Sequence, residues 1–242
     1  VRDVVQAAAG VGGGGEYVED VFSTYLYDGT QTAKTITNGI DLAGEGGMVW
    51  SKARNNSGTH RLNDSVRGVS NGLRSDTTAA DQTVSNGITA FNNNGYDLGT
   101  DAGNSGYNFN NYTYVSWSFR KSPKFFDVVT WTGNGSGNAT VSHSLGSVPG
   151  CMFVKRTDST ADWFVYHRSY SNPQFQAQKL NTTDAVFSSG AWQVLPTDTE
   201  FTTAYNVNGG TYVAYLFAHD AGGFGDDSEQ NVISCGSYTT NG

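Results

Sequence analysis

Apolar positions along this chain fall in short runs set between Gly, Asn, Thr and Ser, and no long stretch keeps a helical period. The clearest run is Val115-Ser116-Trp117-Ser118-Phe119, where strict alternation predicts a strand with Val115, Trp117 and Phe119 on a buried face and both serines outward. Tyr212-Val213-Ala214-Tyr215-Leu216-Phe217 is apolar at every position, which predicts a central strand covered on both faces. Met48-Val49-Trp50 reads as a compact strand between Gly46-Gly47 and the basic Lys52 and Arg54. Asn38-Gly39 is a hairpin dipeptide. The run Gly133 to Gly137 reads as a hairpin turn, because it lacks the lysine and following helix of a phosphate loop. Only Val1 to Ala9 has helical character, and it runs into a glycine hinge at Gly10 to Gly15. Short strands with Gly and Asn turns predict an all-β fold of antiparallel β-sandwiches, jelly-roll or lectin-like.

The runs also recur. FFDVVTWTGNG (125–135) has a counterpart at Phe22 to Gly29, with Tyr27 and Trp131 104 residues apart, and a partial one at Tyr238 to Gly242. GGMVWSKAR (46–54) is answered by PGCMFVKR (149–156), with Met48 set against Met152, again 104 apart. HRLNDSVRG (60–68) corresponds to DWFVYHRS (162–169) at a shift of 103, placing Leu62 with Val165 and Asp64 with His167; TYVSWSF (113–119) corresponds to TYVAYLF (211–217). Self-similarity at a near-fixed period decides architecture before any local reading does. The expected organisation is an arm and linker over 1–16, one sandwich module over 17–122, a second over 123–230, and the start of a third repeat or a linker over 231–242.

Composition narrows the chemistry. The 242 residues include 31 Gly but only 4 Pro, with 15% charged, the profile of a strand-and-turn chain. A net charge of −8 argues against gripping phosphate backbones, so no nucleic-acid partner is expected. No apolar run approaches the ~20 residues of a membrane-spanning helix, so no membrane insertion is expected. Cys151 and Cys235 sit in apolar runs without zinc spacing and read as small buried hydrophobes. His60, His143, His167 and His219 fall in no catalytic motif. Asp226-Asp227 and Glu229 read as a solvated turn, and Asn92 to Asp97 matches a calcium loop only in part. The chain is therefore expected to be no enzyme, with no cofactor and no metal. Tyr96, Tyr107, Phe109 and Tyr112, interleaved with Asn and Asp, offer flat faces beside amides, the materials of a glycan or protein contact. The alternative for these four is that they cap the sandwich ends.

Taken together, YVEDVFSTYLYDG, GIDLAGEGGMVWSKAR, TYVSWSFRKSPKFFDVVTWTGNGS, HSLGSVPGCMFVKRTDST, WFVYHRS and GGTYVAYLFAHDAGGFG resemble a repeated module in virion structural proteins of tailed bacteriophages, especially those of marine bacteria. The resemblance spans about residues 17–242. It implies a non-enzymatic particle component, a tail fibre, spike or appendage located in the virion and partnered by other virion proteins, and it carries no catalytic residues. A Gly-linked arm has no core of its own, so Val1, Val4 and Val5 are the expected particle-docking residues. Closed symmetry makes a homo-oligomer, a trimer, the expected working form. The alternative function is a carbohydrate-binding or host-receptor-recognition module, meeting a host surface glycan or protein through the four loop aromatics.

Overall fold

The computed structural model describes residues 15–104 and 106–239; the expected docking residues Val1, Val4 and Val5 lie outside them. The chain is all-β and its named strands pair antiparallel. The first half supplies β1 (Phe22–Asp28), β2 (Lys34–Thr37), β3 (Gly47–Ala53), β4 (Arg61–Asp64), β5 (Asn71–Arg74), β6 (Gln82–Thr83), β7 (Ile88–Asn92), β8 (Gly95–Leu98) and β9 (Thr113–Arg120). The second half supplies β10 (Phe126–Thr132), β11 (Ala139–Ser142), β12 (Cys151–Arg156), β13 (Trp163–His167), β14 (Gln176–Lys179), β15 (Phe187–Ser188), β16 (Glu200–Thr203) and β17 (Thr211–Phe217). Among the described residues, helix is confined to the turn Val18–Val21 and a 3-10 turn at Pro173–Phe175.

Two large sheets, β1-β9-β3-β4-β5-β6 and β10-β17-β12-β13-β14-β15, share one strand order, and each half adds a small sheet, β2-β8-β7 or β11-β16. The correspondence reaches single bonds. Tyr27 stacks on Tyr114 at 5.2 Å and Trp131 stacks on Tyr212 at 5.0 Å, both at 12°. The Tyr114 hydroxyl accepts the Phe109 N–H at 3.1 Å, as the Tyr212 hydroxyl accepts that of Val207 at 3.0 Å. Asn108 Oδ1 accepts the Thr30 N–H and Asn206 Oδ1 that of Asn134, at 3.0 and 2.9 Å. Lys52 Nζ donates to the carbonyls one and four residues on, Ala53 and Asn56; Lys155 Nζ does the same to Arg156 and Ser159.

This correspondence corrects the alignment of the methionines. Trp50 pairs with Trp117 and Phe153 with Tyr215, so β3 and β12 match at a shift of 103. Met48 is thereby equivalent to Cys151, and Val49 to Met152. A slip of one residue exchanges the faces of a strand, and the burial follows the corrected register. Met48 and Cys151 face the core between the large sheets, whereas Val49 and Met152 face the cores beneath the small sheets.

Among the described residues, three apolar cores result. Ile36, Ile40, Tyr96, Tyr107 and Tyr114 fill the space under the first small sheet; Val141, Met152, Trp192, Phe201 and Leu216 fill that under the second. The third core lies between the large sheets and draws on both halves, with Met48, Leu62 and Leu73 meeting Phe126, Trp163 and Tyr215. Strand β17 separates two cores and is buried at every residue after Thr211, as its unbroken apolar run predicts.

Strand β9 differs from expectation. Ser116 and Ser118 are fully buried, while Trp117 and Phe119 are only half-buried. The serine face lies under the first small sheet, where Ser116 Oγ accepts the Tyr96 hydroxyl at 2.7 Å and Ser118 Oγ accepts Asn38 Nδ2 at 2.8 Å. Buried hydroxyls with partners carry little penalty, so polar alternation here marks a second packed face. The turns are corrected as well. Gly39 holds φ +86°, but Asn38-Gly39 leads from the small sheet toward β3 in the large one, and its flanking strands do not pair. Likewise the loop Gly133 to Gly137 is a corner from β10 to β11 in different sheets.

Candidate functional site

The four loop aromatics do not form one surface. Tyr96 and Tyr107 are fully buried, so neither can present a face to a ligand. Tyr96 packs under the small sheet through its bond to Ser116, and the Tyr107 hydroxyl donates to Asn63 Oδ1 at 2.8 Å. The Tyr107 ring lies against Gly87, where an added Cβ would stand 2.6 Å from it. Phe109 and Tyr112 remain half-buried in the loop before β9, their rings 5.4 Å apart and tilted by 53°, and Asn56 Nδ2 donates to the Tyr112 hydroxyl at 3.0 Å. The spacing of aromatics among Asn and Gly looked the same at all four positions. What separates them is placement: Tyr96 lies within β8 with its side chain turned into the core, Tyr107 enters the same core against Gly87, and Phe109 and Tyr112 stay in the loop.

The more informative features lie where the large sheets meet. Equivalent residues touch each other there: Trp50 meets Phe153 at 6.3 Å and Phe119 meets Phe217 at 5.7 Å, as in contact across a local two-fold. The two sides of this contact have diverged. On one side the guanidinium of Arg67 is enclosed, with Nε on Asp64 and Nη1 on Asp81, both at 2.7 Å. Its Nη2 donates to the Leu62 carbonyl at 3.1 Å and the Tyr215 hydroxyl at 3.0 Å, and that hydroxyl donates to Asp64 at 2.7 Å. Burial disfavours the charge on Arg67, yet Tyr215, Asp64 and Asp81 hold its pKa above the ordinary value. On the other side the counterpart of Asp64 is His167, which lines an open groove of about 470 Å³ with Cys151, Phe153, Tyr170, Gln178 and Leu180. A second hollow, of about 350 Å³, continues from it over Trp50 and Phe119. The segment after β17 forms one wall, with Ile233, Cys235 and Gly236 seated against both halves.

Burial shifts the titratable groups around the groove. Burial pushes the Cys151 thiol well up and the Cys235 thiol up to about 11, so neither is a thiolate at neutral pH. Burial lowers the pKa of His167, as it does for His60 and His143. Among the described residues no three His, Cys, Asp or Glu side chains gather into a metal-binding group. The Asn92 to Gly95 stretch joins β7 to β8, and its Asn92 and Asn94 carbonyls accept N–H groups of Leu42, Ala43, Asn38 and Gly39.

One buried cation does carry a measurable consequence. Lys155 has no exposed surface, and burial lowers its pKa from 10.5 to about 8. The unfolded chain then binds more protons than the folded one between these values, so stability rises with pH across that window. Burial raises the pKa of Tyr27, Tyr96 and Tyr215 above 10, which reverses the trend once unfolded tyrosines ionise. The raised thiols of Cys151 and Cys235 act in the opposite sense above pH 9, so the comparison is between chains: in denaturant titrations from pH 8 to pH 10 the stability of the native chain relative to Lys155→Met is expected to rise. Parallel profiles would remove Lys155 as the cause.

Comparison with curated protein sequences and with solved structures finds no match. The family comparison does, over both halves and the joint between them: with residues 18–242 matched, the chain belongs to the family described as a domain of unknown function, DUF7483.

Proposed function

We propose that the chain is a structural component of a tailed-phage virion, a fibre, spike or appendage protein held to its particle through the N-terminal arm. The observation that carries this reading is the joint between the halves. Two copies of one module share a core and enclose Arg67 between them, a joint that would let the pair carry load as one block. The resemblance to virion modules supplies the kind of particle, other virion proteins the partners, and the groups lining the groove offer no activated nucleophile. In this reading the protein's chemistry is assembly. Mass spectrometry of purified particles is expected to find the polypeptide at fixed stoichiometry to the major virion proteins. Particles that lack it, or a secreted form active alone on a substrate, would overturn the reading.

The half-exposed pair Phe109 and Tyr112 favours a second reading, recognition of a host surface glycan or protein. It is now a two-ring contact rather than a four-ring one. Binding to a glycan array that disappears in the Phe109→Ala, Tyr112→Ala double variant would support it; unchanged binding would remove it.

A further inference from the structure

We infer that β1 is a docking edge, and that its occupant is β1 of a second copy of this chain, paired antiparallel about a two-fold axis through Tyr25. The inference stands on main-chain geometry and does not depend on which particle the protein belongs to.

Each large sheet has two edges, and three of the four are short or blocked. The strands β6 and β15 are two residues long, a length that offers a poor template. The edge strand β10 is closed at its start: Phe126 exchanges main-chain bonds with Ser122, and Asp127 Oδ1 accepts the Val128 N–H at 2.9 Å. Asp127 is itself buried and held by Lys121 at 3.0 Å and by the Ser144 N–H at 2.7 Å. An inward carboxylate of this kind is a device against edge pairing.

The equivalent edge in the first half is tied at its ends, where the Phe22 N–H bonds to the Val18 carbonyl and Lys34 Nζ donates to the Asp28 carbonyl, but it has no inward carboxylate. Ser23 stands where the second half has Asp127. The Gly29 N–H bonds to the Tyr112 carbonyl, which fixes Ser23, Tyr25 and Tyr27 as the residues bonded inward to β9. Thr24 and Leu26 therefore turn their N–H and C=O groups outward, and among the described residues these groups meet no partner. Both side chains are exposed, Leu26 at 57%. An edge whose central main-chain groups, those of Thr24 and Leu26, are free beside an exposed leucine is a template for another strand.

The sequence FSTYLYD suits pairing with itself. With Tyr25 opposite Tyr25 of the second copy, Thr24 faces Leu26 and exchanges both main-chain bonds with it, a β-branched residue against an aliphatic one. Asp28, the one charge on the strand, falls opposite Phe22, so like charges do not meet. Such a contact has a two-fold axis and makes pairs, fusing two six-stranded sheets into one continuous sheet.

The test uses the full chain. Sedimentation or light scattering across the micromolar range is expected to show a reversible dimer, and Leu26→Lys to weaken it by about tenfold or more with unchanged circular dichroism. A monomer at every concentration, or self-association unaffected by Leu26→Lys, would overturn the inference. The register is checked by mild oxidation of cysteine variants. A mixture of Thr24→Cys and Leu26→Cys chains is expected to give a disulfide-linked dimer that neither variant gives alone, because only the mixed pair comes within bridging distance. Equal cross-linking in all three samples would refute the two-fold pairing.

Discussion

Replacing Arg67 with alanine is expected to lower the folding stability of the whole chain by about 3–5 kcal/mol, because it leaves buried acceptors and a carboxylate without their cation. The side chain of Asp64 has no exposed surface, and Arg67 is its ion-pair partner. The Tyr215 hydroxyl, from the other half, bonds to both. Tyr215→Phe removes one hydroxyl and keeps the ring, so it should cost less, about 1–3 kcal/mol. The double variant should fall well short of the sum, since both changes act on one network. Denaturant unfolding of the three variants reads the coupling directly. A cost under about 1 kcal/mol for Arg67→Ala would put the cluster in the class of surface ion pairs and remove it as the tie between the halves. Replacing the whole cluster with apolar residues of similar volume need not destabilise at all.

Trp163→Ala should have a comparable effect, about 3–5 kcal/mol, by opening a cavity in the core that both halves line. Trp163 is fully buried, lies near-parallel to Tyr215 with centroids 6.2 Å apart, and donates its indole N–H to the Arg74 carbonyl of the first half at 2.8 Å. The accompanying expectation concerns cooperativity. Because the core is shared, spectroscopic probes placed in either half should report one coincident transition, shifted as a unit in the variant. Trp163→Phe, which loses the bond to Arg74 but leaves a smaller cavity than alanine, should retain the single transition at a smaller cost. A stepwise profile in which Trp163→Ala moves only the second half's transition would show that the halves fold separately.

The fold was legible where the signal was a run or a repeat. The apolar run Tyr212 to Phe217 is a strand covered on both faces, and the Tyr27 to Trp131 match survives down to equivalent ring stacks. It was illegible where sequence alone leaves two answers. Alternation in Val115 to Phe119 located the strand, but Ser116 and Ser118 look the same whether they meet water or the Tyr96 hydroxyl and the Asn38 amide. Matching Met48 to Met152 by identity gave a register that the burial rules out, since Met48 faces the core between the large sheets and Met152 the core beneath the second small sheet. Of the candidate contact residues, Tyr96 and Tyr107 are lost to the core, and the Arg67 cluster was missed altogether. Asp64, Arg67, Asp81 and Tyr215 are scattered along the chain, and no local pattern announces that they meet.

The spacing between matching positions drifts along the two halves, and the drift is a record of where length can change. It is 104 from Tyr27 to Trp131, 105 from Ile36 to Val141, 103 from Trp50 to Phe153, and after Tyr96 and Phe201 it drops from 105 to 98 at Trp117 and Tyr215. Every one of these steps falls in a loop, because a residue gained or lost within a paired strand would turn its remaining side chains to the wrong face. The largest step falls between β8 and β9, in the segment that carries Tyr107, Phe109 and Tyr112. For anyone inserting a tag, an epitope or a foreign loop, that segment and its shorter counterpart between β16 and β17 are the places where this architecture has already accepted two different lengths.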